Sequence, residues 1–144
     1  LGEKKIGSST CLYIDDYGHH PTEIKKTIQA IRTSFPHFEL KMVFQPHRFT
    51  RTKDLYEEFI EVLSNVDELF LLDIYSAGEN PIEGINSSNI QSSLIRSGFD
   101  NVKLLNSNEV ANEYDKDLVK DTIFVFQGAG DISSISQSIF EEFK

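Results

Sequence analysis

Thr122-Ile123-Phe124-Val125-Phe126-Gln127-Gly128-Ala129-Gly130-Asp131-Ile132 decides the fold. Its apolar run is unbroken from Ile123 to Phe126 and stops at a glycine turn. A helical pattern then opens, with Ile132, Ile135, Ile139 and Phe143 expected to point inward. A strand that is apolar on both faces is covered on both faces. That is the habit of a parallel sheet between helix layers, not of an antiparallel sheet with one wet side.

Outward from this stretch the same order repeats. Cys11-Leu12-Tyr13-Ile14 reads as a buried strand that ends at Asp15-Asp16, with a shorter strand at 4–6 before it. Pro21 suits the first position of a helix, where its missing N–H costs nothing. Ile24, Ile28 and Ile31 then recur at helical spacing, and the helix stops before Pro36. A strand at 40–44 is closed by Pro46. A helix at 52–64 buries Leu55, Phe59, Val62 and Leu63. A strand at 68–74 follows, then a turn-rich loop at 75–84 with Gly78, Pro81 and Gly84. A helix at 87–97 buries Ile90, Leu94 and Ile95, with Gly98 placed as its C-terminal cap. A strand at 102–105 and a helix at 109–120 complete the chain up to the quoted stretch. Alternating buried strands and helices predict one α/β domain over residues 1–144. Its expected form is a Rossmann-like, doubly wound, mostly parallel sheet with helices on both faces.

Composition bounds the function. The chain has 144 residues, 39% hydrophobic and 26% charged, an ordinary globular balance large enough for a real core. Its net charge of −9 argues against nucleic acid and against an anionic membrane surface, both of which select a positive face. The single cysteine, Cys11, excludes an internal disulfide, suits a reducing compartment, and by its place in a strand reads as core. No apolar run approaches the ~20 residues of a membrane span, and nothing at the start reads as a signal peptide. The chain begins at Leu1 rather than Met, as expected of a chain that is processed or cut from something longer.

The chemistry gathers at four strand ends, where doubly wound sheets bind ligands. They are Asp15-Asp16-Tyr17-Gly18-His19-His20-Pro21, Gln45-Pro46-His47-Arg48-Phe49-Thr50-Arg51, Asp73-Ile74-Tyr75-Ser76-Ala77-Gly78-Glu79 and Gln127-Gly128-Ala129-Gly130-Asp131. Three of the four histidines fall in the first two, and His37 reads as loop surface. Residues 41–53 hold Lys41, Arg48, Arg51 and Lys53 with no acid, so the remaining chain carries −13. Arg48 and Arg51, three apart at a helix start, could aim two guanidinium forks at one carboxylate or phosphate. The alternative is a solvated helix start whose arginine pairs with the acidic surface. Beside His47 and at a strand end, anion binding is the preferred reading.

The first segment leaves several readings open. Asp15, Asp16, His19 and His20 could ligate a metal, although adjacent histidine side chains usually diverge. One Asp could cap the turn while one His faces solvent. Asp16 could bond a ribose or orient a histidine. Gly128-Ala129-Gly130 is half of a dinucleotide fingerprint, with Ser133 where the third glycine belongs. Neither a phosphate loop nor a Gly-x-Ser-x-Gly nucleophile elbow occurs in the sequence.

Together the four segments resemble the C-terminal domain of the Mur ligases, the amide-forming enzymes of bacterial peptidoglycan synthesis. The resemblance covers the chain from about Cys11 to the end. The double His and Pro-His-Arg-Phe-Thr-Arg are similar to the L-alanine-adding branch, with Phe49 where that branch commonly has Tyr. The resemblance implies a three-domain enzyme, of which this is the third domain. The N-terminal UDP-sugar domain and the central ATPase domain would be its partners, and this domain alone would be inactive. It implies that ATP and Mg2+ drive formation of an acyl phosphate on UDP-N-acetylmuramate, which the amine of L-alanine then attacks. Tyr17, His19, His47, Arg48 and Arg51 would surround L-alanine, with both arginines on its carboxylate and His47 in support. Asp16, Gly128 and Asp131 would lie on the adenosine side of the ATP cleft. No metal ligand, no nucleic acid and no membrane is expected for this domain, and its implied location is the bacterial cytoplasm. The competing expectations are a stand-alone module that binds an amino acid or nucleotide without catalysis, and a metal-dependent hydrolase built on Asp16, His19 and His47.

Overall fold

The strand of the opening stretch, Thr122–Gln127, is buried at all six residues. The computed structural model describes residues 2–6, 9–106, 108–110 and 120–141. Within them the order is β1 (Gly2–Ile6), β2 (Ser9–Asp16), α1 (Pro21–Ser34), β3 (Glu39–Phe44), α2 (Phe49–Asp54), α3 (Tyr56–Leu63), β4 (Glu68–Leu71), α4 (Ser87–Arg96), β5 (Val102–Leu104), β6 (Thr122–Gln127) and α5 (Ile132–Glu141). The helix expected at 109–120 falls largely outside the described residues, as do Phe143 and the side chain of Ile139.

The strands form one sheet in the order β1-β2-β6-β3-β4-β5. Every neighbouring pair is parallel except the β1–β2 edge. The expected doubly wound, mostly parallel α/β sheet is therefore observed. β6 lies between β2 and β3, with Gln127 in register with both Asp16 and Phe44. Apolar side chains from α1, α3 and α4 pack on one face, around Ile24, Phe59, Leu63, Ile90 and Leu94. Ile132 and Ile135 of α5 pack on the other face with Cys11, Tyr13, Phe124 and Phe126. Each large side chain buried this way contributes roughly 1.5–3 kcal/mol. The chain thus leaves β6 toward one face and its two neighbours toward the other. That divergence opens a crevice at the carboxyl ends of β2, β6 and β3.

Local signals explain the helix ends. His20 is the N-cap of α1. Its Nδ1 accepts from the Thr22 N–H at 3.1 Å, and Glu23 Oε1 accepts in return from the His20 N–H at 3.1 Å. Past α4, the Gly98 N–H donates to Ile95 O and the Phe99 N–H to Leu94 O, which is a Schellman close. Gly98 has φ of 103°, where glycine carries no penalty.

Three expectations are corrected. The single helix at 52–64 is two helices, broken at Leu55 (φ −114°, ψ 22°), and the first starts earlier, at Phe49. The strand at 68–74 ends its pairing at Leu71, because the segment beyond it turns across the strand ends. Ile95 is 49% exposed and not core, since it lies one residue past Leu94 on the helix circle.

Candidate functional site

The basic segment divides between two places. Lys41 points back into the sheet, 3.1 Å from Glu68, which also meets Lys103 at 3.6 Å across β3, β4 and β5. Lys53 is exposed. Arg48 and Arg51 are left at the crevice.

The loop after β3 meets the loop after β4 through backbone bonds. The Tyr75 N–H donates to Pro46 O and the Arg48 N–H to Tyr75 O, both at 2.8 Å. This lays the Tyr75 ring on His47, with centroids 5.5 Å apart. His47 in turn faces His19 from the loop after β2, with centroids 5.4 Å apart. Arg51, one turn along α2, places Nη1 3.1 Å from His47 Nδ1. Three separate strand ends therefore contribute to one chain of contacts: His19, His47, Arg51 and Tyr75.

Arg48 adopts φ of 72°, an uncommon conformation for a side chain with a Cβ. Its Nη1 lies 3.8 Å from Glu79 Oε2. Glu79 does more than balance this charge. Its Oε1 accepts from the Phe49 N–H at 2.7 Å and the Thr50 N–H at 3.2 Å, and its Oε2 accepts from the Thr50 hydroxyl at 2.6 Å. The donors at the start of α2 are thus engaged by a carboxylate of the chain itself. The guanidinium groups, not the helix end, are what remains for a ligand anion.

Tyr17 is 60% exposed, and its carbonyl accepts from His19 Nδ1 at 3.2 Å. Asp16 faces the opposite way. Its Oδ2 accepts from the Thr27 hydroxyl and from Gln127 Nε2, each at 2.7 Å, and Gln127 also donates to Gly18 O at 2.7 Å. Asp16 therefore ties α1 and β6 to the turn that carries His19.

The glycine turn after β6 is shaped by packing. The Gly128 N–H donates to Asp16 O at 3.0 Å. A Cβ on Gly128 would stand 2.7 Å from Gln45 O, and one on Gly130 would stand 2.7 Å from both Gln45 Oε1 and the Tyr75 Cβ. Gln45 Oε1 also accepts from the Ile132 N–H at 3.0 Å, at the start of α5. Asp131 is exposed at the mouth of a polar cavity of about 340 Å3 that it shares with Gln45, Asp73, Tyr75 and Asn106. A groove of about 360 Å3 between α1 and α3 is lined by His20, Lys25, Leu55 and Glu58, and by no arginine.

Electrostatics follow from these contacts. Burial holds the His47 imidazole below its usual pKa, and His19, Arg51 and Arg48 add to the effect. The Thr50 hydroxyl holds the Glu79 carboxyl below its usual range, helped by the Thr50 and Phe49 N–H groups. Burial pushes Asp15 up, opposed by the Ser136 hydroxyl and aided by Asp16. Among the described residues, no group of three or more His, Cys, Asp or Glu side chains is arranged to hold a metal ion. Asp16, His19 and His47 do not converge as a ligand set. Among those residues, too, no helix is long and apolar enough to cross a membrane.

The sequence reading did not single out Tyr75, Glu79, Gln45 or Gln127 as individual site residues, although it quoted the segments that hold them. Their only signal was position after a strand; the partners that give them meaning are remote in sequence.

Comparison with known proteins fits this geometry. A family model described as Mur ligase, glutamate ligase domain, matches residues 4–130. The UDP-N-acetylmuramate–L-alanine ligase of Psychrobacter cryohalolentis is 43% identical over 132 residues, covering 92% of this chain and 28% of that protein. The protein of the same name from Blochmanniella floridana is 46% identical over 130 residues, covering 90% and 27%. The crystal structure of UDP-N-acetylmuramate-alanine ligase from Thermotoga maritima matches with a TM-score of 0.72 at 26% identity, over 97% of this chain and 28% of that one. The chain spans little more than a quarter of the length of these relatives. By the extent of the family match and the sheet order beneath it, the chain belongs to the Mur ligase family.

Proposed function

We propose that residues 1–144 act as one domain of an ATP-dependent ligase that adds L-alanine to UDP-N-acetylmuramate in bacterial peptidoglycan synthesis. The domain presents the amino acid to an acyl phosphate and helps close the ATP site. The observation that carries this reading is the meeting of His19, His47 and Arg51, with Arg48 beside them, at the crevice of the sheet. An amino acid brings a carboxylate that must be fixed and an amine that must stay free to react. Arg48 and Arg51 supply bidentate donors for the first, and neutral His47 keeps the pair from being joined by a third cation. Tyr17 lies on the same loop as His19 and completes the rim.

Asp16, Gly128 and Asp131 stand at the ends of the neighbouring strands β2 and β6, on the adenosine side of this reading. Their fit to ATP is that of an edge, not of a phosphate cradle, because the Gly128 N–H is bonded to Asp16 O and one Asp16 oxygen is held by Thr27 and Gln127. ATP supplies the phosphoryl group and Mg2+ offsets its charge. The missing N-terminal and central domains hold UDP-N-acetylmuramate and the phosphates, so this domain alone catalyses nothing. The work takes place in the cytoplasm.

The test is Arg48→Ala in the intact enzyme, with amide formation followed at varied L-alanine. The L-alanine KM rises at least tenfold, the loss of about one charge-assisted hydrogen bond, while the ATP KM stays close to wild type. An unchanged L-alanine KM overturns the assignment.

A further inference from the structure

The two histidines at the crevice carry their protons on different nitrogens, and their partners fix which. A guanidinium can only donate, so His47 Nδ1, 3.1 Å from Arg51 Nη1, holds a lone pair and the ring proton sits on Nε2. A backbone carbonyl can only accept, so His19 Nδ1 donates to Tyr17 O at 3.2 Å and the lone pair sits on Nε2. The third histidine, His20, has its Nδ1 lone pair engaged by the Thr22 N–H and its proton on Nε2. His19 alone of these three thus presents an unprotonated Nε2, and among the described residues no hydrogen bond is made to that atom.

We propose that His19 Nε2 takes the proton that the amino group of the bound amino acid must lose, while His47 is a fixed N–H donor at the carboxylate end. This rests on the function proposed above and assigns separate roles within that site. As the amine nitrogen bonds to the acyl carbon, the C–O bond to the phosphate breaks and its electron pair leaves with the phosphate. Before that attack the substrate ammonium gives one proton to His19 Nε2, which frees the nitrogen lone pair and leaves an imidazolium that later releases the proton to water. The second N–H proton, shed after the bond forms by any amine nucleophile, goes to the departing phosphate.

The surroundings suit this task. The Glu23 carboxylate accepts the His19 N–H at 3.2 Å, which fixes the backbone while leaving the ring nitrogen clear. The charged and titratable groups around His19 are Glu23 and His47, with Asp16 beyond Glu23 and Arg51, Arg48 and Glu79 beyond His47. With His47 neutral, the cationic arginines face the substrate carboxylate. His19 is then the one crevice histidine whose protonation breaks no existing hydrogen bond.

The experiment uses the intact ligase with His19→Gln, at saturating ATP and UDP-N-acetylmuramate. With L-alanine, kcat falls about 10²–10³-fold and the L-alanine KM moves only a few-fold. With hydroxylamine, whose nitrogen is already unprotonated at neutral pH, the deficit shrinks to about tenfold or less, because no base is needed. ADP formed in the first turnover without amino acid stays at the wild-type level and reports an intact ATP site. Should His19→Gln lose that signal, the same comparison is made with His19→Asn. A kcat within threefold of wild type, or an equal deficit with both nucleophiles, overturns the proposal. A wild type that joins some other amino acid but keeps the nucleophile-dependent deficit overturns the alanine reading and sustains the role of His19.

Discussion

Glu79 Oε2 accepts the Thr50 hydroxyl at 2.6 Å, from a loop 29 residues further along the chain. With the Phe49 and Thr50 N–H groups on its other oxygen, this carboxylate provides the N-terminal cap that α2 lacks locally. It also fixes the turn that aims Arg48.

Glu79→Ala therefore frees the start of α2. Thermal unfolding shows a lower midpoint, and in the intact enzyme the L-alanine KM rises several-fold with little change for ATP. The folded pKa lies below the unfolded value of 4.5, so this stabilisation is complete above about pH 4.5 and is lost as pH falls through the folded value. Glu79→Gln removes that acid sensitivity. A midpoint unchanged by Glu79→Ala contradicts the capping role.

His47 works in the same sense but in a higher pH window. Its folded pKa lies below the usual 6.5, chiefly through burial, then through His19 and the arginines. Below pH 6.5 the unfolded chain binds this proton more readily than the folded one, so stability declines as pH falls from there and is flat above. Unfolding midpoints between pH 5 and 7.5 measure the slope, and His47→Gln reduces it.

Two glycines separate packing from conformation. Gly130→Ala puts a methyl 2.7 Å from the Tyr75 ring and from Gln45 Oε1. It displaces Tyr75, then His47, and raises the L-alanine KM as well as lowering stability. Gly98→Ala meets nothing within 4 Å but sits at φ of 103°, so it costs about 1 kcal/mol and leaves activity unchanged. Equal kinetic effects from the two substitutions would exclude this distinction.

Leu63 and Ile95 test the corrected core. Leu63 is fully buried, so Leu63→Ala destabilises by about 2–5 kcal/mol. Ile95→Ala changes stability by no more than about 0.5 kcal/mol, because that side chain is half exposed. Chemical denaturation curves of both variants give the comparison.

Much of this architecture was legible from side-chain pattern. Ile24, Ile28 and Ile31 mark a helix face, Ile123 to Phe126 mark a strand covered on both sides, and His19, His47, Arg48 and Arg51 all fall just past strand ends. The division of the helix at Leu55 was not legible. The apolar spacing of Leu55, Phe59 and Leu63 runs through the break, and the start at Phe49 is capped by Glu79 from another loop.

The sequence by itself determined where the strands and most helix faces lie, where the chain turns and which chemical groups stand at the strand ends, because periodicity and turn chemistry act over a few residues. Only the tertiary structure decided which of those groups meet. Parallel pairing of β6 between β2 and β3 brings residues more than 100 positions apart into contact, as in Gln127 Nε2 on Asp16 Oδ2. It also places His19 against His47. Each ring's hydrogen-bond partner lies close in the chain, Tyr17 O for His19 and Arg51 for His47, but the fold of each loop decides that these neighbours and not others meet the ring. A proton's place on an imidazole depends on that partner, and residue spacing alone does not specify it.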